Sequence, residues 1–257
     1  GSLFLLCLFA FQRRMPDKQA IRKNLVLLIC SGALIGFNWL LLFQSYHYTT
    51  VATATVCYYL QPVFVTLLSP LVLKEKLTLP KVCCVLAALF GMILVSGVLS
   101  EGSNWNAMGI LLGVSAAIVY ASVILMNKFI KNISAYDITF VQLMVAAIVM
   151  VPYVFITEDV SSFSLDGIQW VFLLVVGIFH TGIAYWLYFG SMADIPSQTI
   201  ALYSYIDPVV AIIFSTFLLK EPLSAQGAIG AVCILGSTCF SEYLSKKRRI
   251  TEKTNSL

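Results

Sequence analysis

Long apolar runs alternate with short polar turns from one end of this chain to the other. Nine runs stand out: 1–12, 24–43, 49–73, 79–99, 106–128, 136–156, 167–190, 196–219 and 224–245. An α-helix needs roughly 20 apolar residues to cross about 30 Å of hydrocarbon. Every run after the first reaches that length; 1–12 is too short to span. Prolines punctuate the runs in two ways. Pro80, Pro196 and Pro222 mark starts, where a missing N–H costs least. Pro62, Pro70, Pro152 and Pro208 fall inside runs and predict kinks or local opening of the helix. The pattern predicts an all-α, polytopic membrane protein.

Two of the runs are copies of one another. Leu60-Gln61-Pro62-Val63, followed by Leu73-Lys74-Glu75-Lys76-Leu77, returns as Ile206-Asp207-Pro208-Val209, followed by Leu219-Lys220-Glu221-Pro222-Leu223, at a constant offset of 146 residues. Agreement in spacing, proline and charge predicts two related halves. The short loops set their orientation. Arg13, Arg14, Lys18, Arg22 and Lys23 crowd the first connection, which is therefore assigned to the cytoplasm. Alternation then puts Lys74, Lys76 and Lys81, next Lys128 and Lys131, and finally Lys246-Lys247-Arg248-Arg249 on that same side. The opposite loops carry Glu101, Glu158, Asp159 and Asp166, with the lysine of Lys220-Glu221 as the exception. The two Leu-Lys-Glu turns thus fall on opposite faces, and the halves are expected to be inverted repeats of five-helix units. The second half, 106–245, has five runs and the first, 1–99, has four. A ten-helix parent lacking its first helix in this chain accounts for the difference. Residues 246–257 form a basic cytoplasmic tail.

Composition narrows the class further. Hydrophobic residues make up 60% of the chain and charged ones 11%, with a mean hydropathy of +0.91. A soluble domain would carry roughly 25% charge, so water is not the main solvent. The seven cysteines all lie inside apolar runs, with no CxxC or Cys/His spacing, and read as small packing residues. No catalytic motif is present, and nothing predicts a metal, a cofactor or a nucleic-acid partner. The expected partners are a small-molecule substrate and the lipid bilayer; the oligomeric state stays open between monomer and homodimer.

Candidate chemistry gathers near the middle of the runs. Asp207 sits there, directly before Pro208, and an ionisable group at that depth is costly unless paired, protonated or facing water. The residue before a proline is biased away from the helical region, which frees backbone groups for a cavity or neighbours. Gln61, before Pro62, is its repeat mate, and the two prolines are candidate hinges. His180 lies at comparable depth in its run and would complete a proton-responsive pair with Asp207. The alternative for each is a neutral group hydrogen-bonding across helices. Tyr58, Tyr59, Tyr203 and Tyr205 are too deep for an interfacial belt and predict a polar-aromatic pocket. Asn38, Trp39, Tyr120, Gln142 and Tyr185 are further candidates to line it, with interhelical contacts as their alternative. Tyr46, His47, Tyr48 and Trp170 read as belt residues. Glu75 and Glu221 read as caps for the helix that follows each turn. Gly91, Gly109, Gly113, Gly230 and Gly236 suit close helix contacts.

The stretch from Pro62 to Glu75, its mate from Pro208 to Glu221, and the glycine-bearing helices after each resemble the EamA-type repeats of the drug/metabolite transporter superfamily. That resemblance implies ten helices in two inverted repeats around a central cavity. It also implies export or uptake of amino acids or similar small metabolites across a bacterial plasma membrane. No lysine or arginine lies deep in any run, so uncharged or zwitterionic solutes rank above phosphorylated ones, which need a cation. An intramembrane aspartyl protease needs two carboxylates where only Asp207 is deep, and Ser191 is about three turns from His180, so an enzyme ranks last. A non-transporting assembly component or truncated remnant is the remaining alternative.

Overall fold

The computed structural model describes residues 1–11, 16–96, 98–99, 106–157, 166–192, 195–218 and 225–254. Among them every regular element is helical: α1 (Ser2–Phe11), α2 (Lys18–Tyr48), α3 (Val51–Tyr58), α4 (Gln61–Leu73), α5 (Leu79–Val95), α6 (Ala107–Asn127) and α7 (Ala135–Thr157) come first. Then α8 (Gly167–Val175) runs through a π-helical stretch, Val176–Ile183, into α9 (Ala184–Ser191), and α10 (Ser197–Tyr203), α11 (Ile206–Leu218) and α12 (Ala225–Thr254) complete the chain. Five of these segments are long and apolar enough to cross a membrane: α2, Val51–Leu73, α6, α7 and Gly167–Ser191. Arg13, Arg14, Glu101, Glu158, Asp159 and the second Leu-Lys-Glu turn, Leu219 to Leu223 with Glu221, lie outside the described residues.

Short polar side chains fix the helix starts. Asp17 Oδ1 accepts the Gln19 and Ala20 N–H groups at 3.0 Å, opening α2. Thr50 Oγ1 accepts from Thr53 N at 3.2 Å, opening α3. Asn106 Oδ1 does the same for Met108 and Gly109 at the start of α6. Ser134 and Asp137 cap α7, and Asp166 with Gln169 forms a full capping box at α8. These caps explain where the helices overrun the hydropathy runs. Asp17 starts α2 among charged residues, so α2 is 31 residues, about 46 Å, long. Tyr46, His47 and Tyr48, just beyond the run 24–43, therefore form its last turn, and the next helix waits for Thr50. At the other end α12 continues through Lys246–Arg249 to Thr254, so the basic tail is largely a helical extension.

The runs 49–73 and 196–219 are each broken where proline dictates. The chain leaves the helix at Tyr59–Leu60 and at Ser204–Tyr205, and Pro62 and Pro208 then sit in the first turns of α4 and α11. A proline costs least there because its missing N–H would have no intrahelical partner. One i→i−3 bond carries the backbone through each break: Leu60 N to Cys57 O and Tyr205 N to Leu202 O, both at 3.2 Å.

The chain forms two compact units, each drawing on both sequence halves. One comprises Gly1–Leu40 and Ser122–Ile195, the other Leu41–Ala121 and Pro196–Leu257. In the first unit α7 packs against α9 and α1. Gly32 and Gly36 let α2 meet α7 closely: a Cβ on Gly32 would stand 2.8 Å from the Gln142 carbonyl oxygen. Asn24 clamps the α6–α7 turn, donating to Lys131 O at 3.1 Å and accepting from Lys131 N at 3.3 Å. Lys128, half-buried, donates from Nζ to the carbonyls of Met192 and Ile195, each at 2.6 Å. It thereby ties the end of α6 to Met192 and Ile195. Charge-assisted bonds of this kind are worth about 1.5–3 kcal/mol, so Lys128→Met is expected to lower thermal stability in detergent clearly. An unchanged melt would mean that these two bonds contribute nothing.

In the second unit α5 packs along α12 and α4 against α10. Cys84, Val85, Ala88 and Met92 of α5 form a core with Leu202, Tyr205, Val209 and Ile234. Gly91 and Gly230 bring the two helix backbones together: a Cβ on either would stand within 2.6 Å of the other's carbonyl oxygen. Gly109 and Gly113 of α6 are likewise closed in, by Thr49 and Cys57. Gly236 is not, since a Cβ there meets nothing within 4 Å. Glu75 also departs from expectation. Thr78 holds the N-cap position of α5, and Glu75 Oε1 instead accepts Ser197 N at 2.9 Å, at the start of α10. The left-handed Lys74 (φ 57°) turns the chain back and makes that reach possible.

Candidate functional site

The two proline-directed breaks create a polar-aromatic surface in the second unit. In an unbroken helix Tyr59 O would accept from Val63 N, but Val63 N bonds Leu60 O instead, at 3.0 Å. The freed carbonyl is taken by Tyr205, whose hydroxyl donates to Tyr59 O at 2.9 Å across 146 residues of sequence. The two tyrosines are thus bonded to one another. Its rings stack at 6.0 Å with 24° between planes. Tyr58 lies edge-on to Tyr59 at 6.1 Å and 5.9 Å from Tyr120, so four phenol rings run from α6 to the α10–α11 break. Tyr205 is fully buried; Tyr58, Tyr59, Tyr120 and Tyr203 are half-buried and present part of their surface outward.

Asp207 and Gln61, each directly before a proline, lie in different surroundings. Asp207, the second residue of α11, is exposed, with its carboxylate in electrostatic reach of the Tyr59 phenol. Gln61 is buried in the first turn of α4, its Nε2 without a hydrogen-bond partner.

The remaining candidates belong to the first unit. Gln142 is buried and donates from Nε2 to Ser31 Oγ and Asn127 Oδ1, both at 2.6 Å, linking α7 to α2 and α6. This is the interhelical alternative that its sequence position allowed. Asn38 is buried in α2. Trp39 stands edge-on to Tyr185 at 5.9 Å, and Tyr185 packs on Phe189 at 5.1 Å. Trp39 also borders a cleft of about 340 Å³ with Leu143, Ala147, Met150, Val151 and Thr181. Ser2 and Thr181 place hydroxyl-bearing side chains on its otherwise mostly apolar lining. His180 is exposed on the π-helical stretch, where Thr181 Oγ1 donates to Val176 O five residues back at 3.1 Å. His180 and Asp207 fall in different units.

Sequence reasoning missed two polar groupings. Asp137 is buried at the start of α7, bonded by Ser134 Oγ at 2.6 Å; the Ser-x-x-Asp spacing ahead of an apolar run was the available signal. The knot of Thr66, Ser69, Glu75, Ser197 and Gln198 joins residues more than 120 positions apart and had no local signal.

Comparison with known proteins agrees with this architecture. The model of the EamA-like transporter family matches residues 1–97 and 107–243. The uncharacterized transporter YxxF of Bacillus subtilis (strain 168) is 34% identical over 244 residues, which are 94% of this chain and 77% of that protein. YetK, another uncharacterized transporter of the same organism, is 26% identical over 254 residues, 96% of this chain and 76% of its own. A solved crystal structure that is 17% identical superposes with a TM-score of 0.83 over 96% of this chain and 84% of its own, a likeness of fold. The chain belongs to the EamA-like transporter family and is a multi-pass membrane transporter.

Proposed function

We propose that this transporter carries small metabolites, amino acids or related zwitterions first, by alternating access at a polar-aromatic surface, with protons as the coupling ion. The run of rings Tyr120–Tyr58–Tyr59–Tyr205 beside Asp207 carries this reading. Phenols offer apolar faces and hydroxyl donors together, which suits a solute with both an apolar side chain and charged ends. The lack of a deep lysine or arginine argues against phosphorylated solutes. Breaks at equivalent positions ahead of Pro62 and Pro208 are the natural bending points for a rocking motion. The recurring tract at an offset of 146, and two stretches matched by one family model, support inverted five-helix repeats from a ten-helix parent. The basic loops support a plasma-membrane protein with its C-terminus in the cytoplasm.

The test is uptake of labelled amino acids into proteoliposomes, with and without an imposed pH gradient, across aromatic, branched, thiol and hydroxyl side chains. Saturable uptake of one class, raised by the gradient, is the expected result. Absence of uptake of every class by correctly inserted protein would reject amino acids as substrates. Uptake indifferent to pH would reject proton coupling alone.

A further inference from the structure

We propose that a small monovalent cation, of the sodium class, is held at the C-terminal end of α4 by oxygens of Thr66, Glu75, Ser197 and Gln198. This site shares no residue with the tyrosine surface and does not depend on the transport reading.

A knot of hydrogen bonds around Ser69 builds it. Ser69 Oγ donates to Thr66 O at 3.2 Å and accepts from Gln198 Nε2 at 2.7 Å. The Ser69 carbonyl accepts from the backbone N–H groups of Lys74 and Glu75, the latter at 3.4 Å. That closes the turn and carries the Glu75 carboxylate to Ser197 N, 2.9 Å from Oε1. Four buried oxygens in this knot have no hydrogen-bond partner: Thr66 Oγ1, Glu75 Oε2, Ser197 Oγ and Gln198 Oε1. Each is confined by its own residue. Glu75 Oε2 shares its carboxyl carbon with the bonded Oε1, Gln198 Oε1 shares its amide carbon with the bonded Nε2, and Ser197 Oγ belongs to the residue whose N–H is engaged. Thr66, Ser197 and Gln198 are exposed by 2%, 0% and 2% only.

Chemistry then selects the ligand. A buried polar atom without a partner is costly, and a buried charge more so, unless something satisfies it. The Gln198 carbonyl and an ionised Glu75 are acceptors only, so an anion or another acceptor is unsuited. One carboxylate among neutral oxygens balances a single positive charge. Hard oxygen ligands suit such an ion, whereas zinc and copper favour nitrogen and sulfur, and no group of three His, Cys, Asp or Glu converges among the described residues. A bound cation would fasten α10, from the second sequence half, to the end of α4, from the first.

The experiment uses the full chain purified in detergent, with thermal unfolding followed as NaCl replaces N-methylglucamine chloride at constant ionic strength, and with direct binding of radioactive Na⁺. The expected result is a melting temperature that climbs with the logarithm of Na⁺ concentration, together with saturable Na⁺ binding. Thr66→Val and Gln198→Leu should each weaken that response by about tenfold or more, and Glu75→Gln should abolish it. Should Glu75→Gln fail to fold, Thr66→Val carries the test. Identical melts in the two salts with no bound Na⁺ would overturn the proposal in favour of water or a protonated Glu75. A Na⁺ response unchanged in the Thr66 and Gln198 variants would overturn it by placing the ion elsewhere.

Discussion

Gly230→Leu is expected to leave little monodisperse protein in detergent, while Gly236→Leu, on the same helix, is expected to behave as the parent. A Cβ at Gly230 would lie 2.5 Å from the Gly91 carbonyl oxygen, 2.8 Å from Val95 Cγ2 and 3.1 Å from Leu94 Cβ. Overpacking a filled site costs about 1–3 kcal/mol when side chains can yield. Here the first obstacle is backbone of α5, which yields only if the two helices part. Lipid tails supply no hydrophobic drive to hold them together; the association rests on close van der Waals contact, which fades within about an ångström. The second unit's core, from Cys84 to Ile234, is built across this contact and should loosen with it. At Gly236 a side chain meets nothing within 4 Å, and leucine is the better helix former by roughly 1 kcal/mol. Size-exclusion profiles and melting curves of the two variants in one detergent decide the matter. Equal behaviour of the pair would refute close packing at Gly91–Gly230.

That pair also shows where sequence reading ends. Gly230 and Gly236 are the same residue type in the same apolar run, and only the partner helix separates them. Helix existence was legible because hydrocarbon thickness demands long apolar runs. The breaks near residues 60 and 205 were legible from Pro62 and Pro208, whereas Pro70 and Pro152, expected to act alike, lie inside α4 and α7, which continue through them. The deep tyrosines were legible as a group, since phenols at that depth need partners; that Tyr205 bonds the carbonyl of Tyr59 depends on the backbone of a distant break. Gln61 and Asp207 each precede a proline in similar tracts, yet one is buried and the other exposed, because burial depends on tertiary neighbours that a local tract does not specify. Glu75 is the clearest case. Its sequence position suggested a cap for the adjacent helix, but the left-handed turn at Lys74 sends it to Ser197, 122 residues away. The π-helical stretch around His180 had no periodic signature; only Thr181 and its neighbouring glycines hint at it afterwards.

Asp207→Asn should abolish accumulation of substrate against a gradient while leaving exchange across the bilayer in place. The amide keeps the size of the carboxylate but cannot ionise, and it exchanges one acceptor oxygen for an NH2 donor. Asp207 is exposed in the first turn of α11, next to the helix break at Ser204–Tyr205 and in electrostatic reach of Tyr59. A carboxylate there faces the positive end of a helix dipole, while hydrocarbon opposes any ionised group. A group between those influences can change its proton when access to water changes, as coupling requires. A pH gradient of one unit stores about 1.4 kcal/mol per proton, enough for about tenfold accumulation of a neutral or zwitterionic solute. In the variant the ratio of inside to outside concentration should fall to about one, with counterflow of labelled substrate persisting. Undiminished accumulation would reduce Asp207 to a structural hydrogen-bonding role. Loss of counterflow as well, from protein that melts like the parent, would assign Asp207 to substrate binding, because exchange needs the substrate site but no net proton movement.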